Sequence, residues 1–239
     1  MDVKKSQTEA VRKFLVTNTF IGSLSAGAID ILMKAGHVRH YRKGTSLFER
    51  GTDADSLLLI ISGSVKISNI TADAREVVLN FLGRGEVIGE ISLLGGGART
   101  ASATAHQDTE IFQLYRRDLL PVLTQQPEAL LEIVQLLCQR LRTLSEIVED
   151  SLRDMRGRFS AGILRLANRH GRRTSHGIEI DLAINQRDLG NYLGLSRENT
   201  NRQINSLVSA GVILLNGGVL TIVDESALAA LTGSVDEDL

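Results

Sequence analysis

Apolar positions change their spacing twice along this 239-residue chain. From about residue 38 to residue 114 they form short runs rich in leucine and β-branched residues, and glycines separate the runs: 57–61, 65–67, 77–79 and 110–112. Short strands that alternate with glycine turns are typical of an antiparallel barrel or sandwich. The pattern predicts an α+β protein whose residues 1–127 form an antiparallel, jelly-roll-like β-roll.

After Pro127 the spacing becomes helical, and no glycine interrupts it before Gly157. Spacings of three and four alternate in a seam that is interrupted near 151–152: Val134, Leu137, Leu141, Leu144, Val148 and Met155. This is nearly the a/d pattern of a coiled coil. A helix over 128–156 would carry the seam past the end of a small domain, so we predict a homodimer. Packing of this helix on its own β-roll is the alternative. Gly157 is the predicted hinge.

The last segment, 157–239, has the features of a winged helix-turn-helix. Asn185 can cap a first helix with Asp188 at its N3 position, Gly194 allows a tight turn, and Ser196 can cap a second helix. Two apolar runs then flank Asn-Gly-Gly within residues 212–223, which predicts a hairpin.

The second of these helices has two different faces. Its apolar face consists of Thr200, Ile204, Leu207 and Val208, and the opposite polar stripe consists of Arg197, Glu198, Asn201, Arg202 and Asn205. In the major groove an arginine can donate two hydrogen bonds to guanine, and a glutamate can accept one from cytosine. An ordinary surface ion pair between Glu198 and Arg202 is the alternative. The predicted DNA-binding residues are Ser196, Arg197, Glu198, Asn201 and Arg202.

Charge and composition narrow the possible functions. The net charge is −1, but residues 157–223 contain eight arginines and four acidic residues, about +4, which favours phosphate contacts. No run of 18 apolar residues occurs, so we expect a cytoplasmic protein without membrane contact. The single cysteine, Cys138, and five dispersed histidines predict no metal site. We also predict no enzyme activity, because the chain lacks a Walker lysine motif and a nucleophile with an evident base.

Residues 85–101 combine a strand, a short helix and a glycine-rich loop. A helix starting near Gly89 can offer backbone N–H groups to a phosphate, and Arg99 can bind the phosphate with two hydrogen bonds. Thr100 adds a hydroxyl donor, while Glu90 can accept a hydrogen bond from a ribose hydroxyl. The segment therefore predicts a site for a small anionic ligand.

This segment resembles the phosphate-binding cassette of the cyclic-AMP receptor protein (CRP/FNR) family, and Arg197, Glu198 and Arg202 resemble its recognition helix. The resemblance runs from about residue 24 to residue 223. It implies ligand contacts from six residues: Gly89, Glu90, Ile91, Arg99, Thr100 and Ser145. It also implies cyclic AMP as the effector, a palindromic DNA site similar to TGTGA, and an RNA polymerase contact from the basic loop 170–177.

One position departs from the family pattern. Selective members carry adjacent threonine and serine hydroxyls that reach adenine from the dimer helix; Ser145 matches, but Leu144 replaces the threonine, and Thr143 lies about 100° around the helix from that position. We therefore predict relaxed purine discrimination, with cyclic GMP able to compete. A ligand-independent regulator with a vestigial pocket is the alternative function.

Overall fold

The computed structural model describes residues 2–233, so the acidic residues at 236–238 lie outside the described part of the chain. The chain forms two compact units. The first contains residues up to 69 together with 81–140, and the second contains 70–80 together with the residues from 141 onward.

Three helices precede the first strand, a feature absent from the prediction of a β-roll over 1–127. They are α1 (Asp2–Thr17), α2 (Thr19–Gly22) and α3 (Ala26–Ala35). The Asn18 side chain caps α2 by accepting hydrogen bonds from Phe20 and Ile21, and Ser25 caps α3. Burial of the inner apolar side chains of these helices against the roll stabilises this helical layer.

The predicted antiparallel β-roll is confirmed. Its strands are β1 (His37–Tyr41), β2 (Ser46–Phe48), β3 (Ser56–Ser62), β4 (Val65–Ile70), β5 (Glu76–Leu82), β6 (Val87–Ile88), β7 (Ser102–Ala105) and β8 (Thr109–Tyr115). They form two four-stranded sheets, with the orders β1-β8-β3-β6 and β2-β7-β4-β5. In β3, Leu58 and Ile60 face the interior of the roll, while Leu57 and Leu59 pack in the cluster that includes the N-terminal helices.

Two short helices flank the roll and one long helix follows it. These are α4 (Glu90–Gly95), α5 (Arg116–Thr124) and α6 (Pro127–Ser151). The predicted dimer helix over 128–156 is interrupted at 152–154, where the heptad spacing also fails. A new helix, α7 (Met155–His170), starts after Asp154, which caps it by accepting from Gly157 N. Gly157 is therefore a buried residue in the first turn of α7, and the helix break lies before this predicted hinge.

The second unit contains the predicted winged helix-turn-helix. After α7 come β9 (Gly171–Thr174), β10 (Gly177–Ile180), α8 (Gln186–Leu193), α9 (Arg197–Ser209), β11 (Ile213–Asn216), β12 (Val219–Ile222), α10 (Glu225–Ala230) and a 3-10 turn (Leu231–Gly233). The sheet order is β11-β12-β10-β9. The segment 170–177, predicted as a loop, is instead the end of α7 followed by half of the β9–β10 hairpin. Within the same unit, Glu76 accepts a hydrogen bond from Asn191 (3.1 Å).

Between residues 2 and 233, no helix is both long enough and apolar enough to cross a membrane.

Candidate functional site

Arg99 is the centre of the candidate ligand site in the first unit. Its side chain is almost completely buried, with 4% of the residue exposed. Nη1 donates to the carbonyl oxygen of Gly89 (3.2 Å), and Nη2 donates to the carbonyl (2.8 Å) and hydroxyl (3.2 Å) oxygens of Ser56. The guanidinium carbon lies 4.2 Å from the centroid of the Phe48 ring. Burial lowers the pKa of Arg99, while Asp55 and Glu90 act in the opposite direction.

Further polar residues hold the Ser56 hydroxyl group that contacts Arg99. The Ser56 hydroxyl also accepts from Gln113 Nε2 (3.1 Å), and Gln113 Oε1 accepts from Arg39 Nε (2.6 Å). Register explains this grouping, because Ser56 pairs with Tyr115 and Leu58 pairs with Gln113 across β3 and β8. The chain of hydrogen bonds therefore fixes the arginine that was predicted to bind an anion.

Glu90 is the second buried charge in this site. The residue is 2% exposed, and its Oε1 atom lies 2.7 Å from Nη1 of Arg140 on α6. Nη2 of Arg140 also donates to the carbonyl oxygen of Val87 (2.5 Å). Glu90 Oε2 and Arg99 Nε are buried, and neither has a hydrogen-bond partner among the described residues. An unused acceptor and an unused donor fit a ligand that carries a hydroxyl and an anionic group.

The other predicted ligand residues lie in different surroundings. Thr100 is exposed beside Arg99, and Ile91 is 48% exposed on α4. Because α4 has only six residues, Arg99 and not the helix dipole is the candidate group for anion binding. Ser145 belongs to the second unit, where its hydroxyl donates to the carbonyl oxygen of Leu141 (3.1 Å), and its ligand role stays a prediction.

Sequence reasoning missed Ser56, Phe48 and Arg140. No motif marks the first two, because strand pairing and turns bring them to Arg99 from distant parts of the chain. Arg140 carried a weak signal, since it belongs to the same stretch of the helix, 140–146, as the positions where the family pattern places base contacts.

The helix-turn-helix contains the caps and the turn that the sequence predicts. Asn185 Oδ1 accepts from Asp188 N (2.8 Å), Gly194 ends α8 with a φ of 65°, and Ser196 Oγ accepts from Asn199 N (3.2 Å). Gly190 permits α8 and α9 to approach, because a Cβ there would lie 2.9 Å from both Leu195 O and Thr200 Oγ1. The predicted hairpin turn is present at Gly217-Gly218, with positive φ at both residues.

The polar stripe of α9 is mostly exposed, as predicted. Arg197, Glu198 and Arg202 are exposed, and Arg202 Nη2 lies 3.3 Å from Glu198 Oε1, so the expected surface ion pair forms in this state. Asn201 differs from the prediction because it is half-buried and its Oδ1 is sealed from solvent. Val208, which was assigned to the apolar face, is 37% exposed, whereas Thr200 is fully buried.

In the described part of the chain, no group of three or more metal-ligating side chains is placed to hold a metal ion.

A β-roll with a buried arginine site, together with a winged helix-turn-helix, defines a DNA-binding transcription regulator. Two family models match: "Cyclic nucleotide-binding domain" over 38–126 and "Crp-like helix-turn-helix domain" over 157–231. The CRP-like cAMP-activated global transcriptional regulator of Mycobacterium tuberculosis is 30% identical over 203 residues, covering 84% of this chain and 91% of that protein. The chain therefore belongs to the CRP/FNR family of transcription regulators, whose members are regulators and not enzymes.

Other relatives agree with this assignment. The cyclic AMP receptor protein of Thermus thermophilus is 30% identical over 86% of this chain and 92% of that protein. The structure of FixK2 from Bradyrhizobium japonicum shares the fold with a TM-score of 0.75 at 20% identity, covering 84% and 98% of the two chains. The c-di-GMP responsive regulator CLP of Xanthomonas campestris has a TM-score of 0.70 at 25% identity, covering 83% and 99%.

The close packing at Gly89 gives a first prediction. Gly89 has a φ of +89°, and a Cβ there would lie 2.0 Å from Arg99 Nη1, whereas Gly97 has a similar φ of +86° with open space around it. Gly89→Ala should lower the free energy of unfolding by about 3–5 kcal/mol, from left-handed strain and displacement of Arg99. Gly97→Ala should cost only the strain, about 1–2 kcal/mol. Urea unfolding measures both, and equal losses would contradict the steric role of Gly89.

Proposed function

We propose that this protein is a dimeric, cyclic-nucleotide-responsive transcription regulator that acts in the cytoplasm on a palindromic TGTGA-like DNA site. The observation that carries the proposal is the pair of unused hydrogen-bonding atoms on buried charges, Arg99 Nε and Glu90 Oε2. An equatorial phosphate oxygen would accept from Arg99, and a ribose hydroxyl would donate to Glu90. A cyclic nucleotide carries both groups close together.

Contacts with the base decide whether cyclic AMP or cyclic GMP is the effector. Cyclic AMP is favoured, because relatives that are 30% identical include one described as cAMP-activated and one described as a cyclic AMP receptor protein. Leu144 stands where selective members have a hydroxyl, so we expect cyclic GMP to compete with cyclic AMP within about tenfold in affinity, the cost of one lost hydrogen bond. The description of CLP as c-di-GMP responsive supports the view that the effector varies among similar folds.

The dimer is proposed from the exposed seam of α6. Five seam side chains are each 37–65% exposed: Val134, Leu137, Leu141, Leu144 and Val148. A regular apolar stripe on a 25-residue helix is stabilised when it packs against an identical stripe. A second copy would cover all five side chains at once.

A ligand-independent regulator is the second candidate, and one observation favours it. Three of the hydrogen bonds that Arg99 can donate already go to protein oxygens, so the guanidinium is held in place without an anion. Under this alternative, the pocket is vestigial and DNA binding does not change with nucleotide.

An RNA polymerase contact belongs to the proposal as well. The β9–β10 hairpin exposes Arg172 and Arg173, which form surface ion pairs with Glu179 (3.0 Å) and Glu225 (3.4 Å). Surface pairs of this kind are weak, so both arginines stay available to an acidic partner.

Fluorescence anisotropy with a palindromic TGTGA duplex tests ligand gating at one fixed salt concentration. We expect cyclic AMP to tighten binding by tenfold or more, and cyclic GMP to act at higher concentration. Arg99→Lys keeps a positive charge but cannot reach the Gly89 and Ser56 oxygens together, so the response should be lost. Arg117→Ala, which removes an exposed arginine beside Asp118, is the matched control and should respond normally. Equal affinity with and without nucleotide would establish the ligand-independent alternative.

Removing the whole Arg99 side chain has a further effect, on stability. Arg99→Ala would remove all three hydrogen bonds that the guanidinium group donates to Gly89 and Ser56, so we expect lower stability as well as a lost response. The lysine variant is therefore the sharper test.

Sedimentation velocity tests the dimer. Leu141→Lys places a charge in the middle of the seam and should shift the protein to monomers at micromolar concentration, because a buried unpaired charge is strongly unfavourable. Glu146→Lys, at an exposed position on the other side of α6, should leave the dimer unchanged. A dimer that survives the leucine substitution would place the interface elsewhere.

The base-reading role of α9 makes a separate prediction. Arg202→Ala should weaken specific DNA binding by about 10- to 100-fold and relax the preference at one base pair, as expected for a lost arginine–guanine contact. Arg172→Ala removes the same charge from the β9–β10 hairpin and should preserve sequence preference. Anisotropy with single-base variants of the duplex measures both, and identical behaviour of the two variants would exclude base reading by Arg202.

A further inference from the structure

A second buried charge network lies within the second unit. Its centre is Asp150, which is 7% exposed in the last turn of α6. Arg153 Nε donates to Asp150 Oδ1 (2.9 Å), and Arg165 Nη1 pairs with Asp150 Oδ2. Two guanidinium groups thus satisfy both oxygens of one carboxylate, which makes its burial tolerable.

Arg165 extends the network to the helix-turn-helix. Its Nε donates to the hydroxyl oxygen of Tyr192 (2.9 Å), and its guanidinium carbon lies 5.4 Å from the centroid of the same ring. Tyr192 is 8% exposed in α8, so one arginine of α7 contacts both the end of α6 and the first helix of the helix-turn-helix. The network also reaches the 3-10 turn that follows α10, because Arg153 Nη1 donates to the carbonyl oxygen of Thr232.

The helices that the network joins also bury apolar side chains, among them Phe159 and Ile163 of α7 and Leu193 of α8. Apolar side chains of similar size often stabilise such a position as well as an ion pair does. Hydrogen bonds differ from apolar contacts because they require a defined direction as well as a distance. The network therefore fixes an angle between helices, which apolar packing alone specifies less strictly.

We propose that Asp150 and Tyr192 are positioning residues that hold the helix-turn-helix at a fixed orientation on the end of α6. The proposal rests on the dimeric DNA binding proposed above. Orientation passes from α8 to α9 because Gly190 lets the two helices touch, and because Thr200 of α9 is fully buried there. In a dimer, the two α9 helices must match half-sites about 34 Å apart, so a loosened orientation reduces the gain from binding both halves.

The main test compares a two-half-site duplex with a single-half-site duplex, both selected by the wild-type protein from a random pool. Tyr192→Phe removes only the hydroxyl, and Asp150→Asn removes the charge while keeping the shape. Each should weaken binding to the two-half-site duplex by about tenfold, the effect of one charge-assisted hydrogen bond, and should leave single-half-site binding within about twofold. Preference for the correct half-site spacing should fall in both variants.

Two controls separate positioning from loss of structure. Tyr115→Phe, in the first unit, should change neither affinity. Equal loss on the two duplexes would show a destabilised domain, and unchanged affinity and spacing preference would show a network without a positioning role; either result overturns the proposal. If Asp150→Asn fails to fold, Tyr192→Phe alone decides between these outcomes.

Hydrogen exchange tests the link between α6 and α8 without any DNA. Amides of 147–151 and 186–193 should exchange faster in Tyr192→Phe than in the wild-type protein, because the link between α6 and α8 is weakened. If the wild-type protein selects no duplex, the proposed function fails while this measurement still tests the link. Unchanged exchange in both segments would overturn the positioning role.

Discussion

The burial of the Arg99 guanidinium is the constraint around which the candidate site in the first unit is arranged. A buried cation without acceptors would be strongly destabilising, so several parts of the roll must supply oxygens to it. Gly89 supplies a carbonyl and has no Cβ to block the approach, while Ser56 supplies a carbonyl and a hydroxyl. Phe48 covers one face of the guanidinium group. The site geometry follows from satisfying this one charge.

Helix α6 supplies a charged group to each unit. Arg140 pairs with Glu90 in the first unit, and Asp150 pairs with Arg165 in the second. The exposed apolar seam lies on the same helix. One helix therefore carries an ion pair in each unit together with the exposed apolar seam.

Local features of the fold could be predicted from the sequence, and distant contacts could not. The caps at Asn185 and Ser196 and the turns at Gly194 and Gly217 depend on residues within one helical turn, and the structure has them as predicted. The N-terminal helices were missed because their apolar residues are divided among three separate helices, each of which carries only part of a stripe. The helix break at 152–154 was predicted too late in the chain, at Gly157. The prediction relied on the glycine and overlooked Asp154, which caps the next helix.

The candidate site divides in the same way. Gly89, Glu90 and Arg99 belong to one continuous segment, so their grouping was visible in the sequence. Ser56 and Arg140 reach them from β3 and α6, and only the register of the strands and the packing of the long helix bring them together. The Asp150 network was invisible for the same reason, because its members are spread from α6 to α8.

Two of the oxygens that hold Arg99 are main-chain carbonyls, those of Ser56 and Gly89. Every amino acid at position 56 would offer the same carbonyl, so the arginine can keep that contact while the local sequence drifts. Position 89 has no such freedom, because any side chain there would collide with the guanidinium group. A site built in this way can keep its buried arginine through long divergence, as long as position 89 remains glycine.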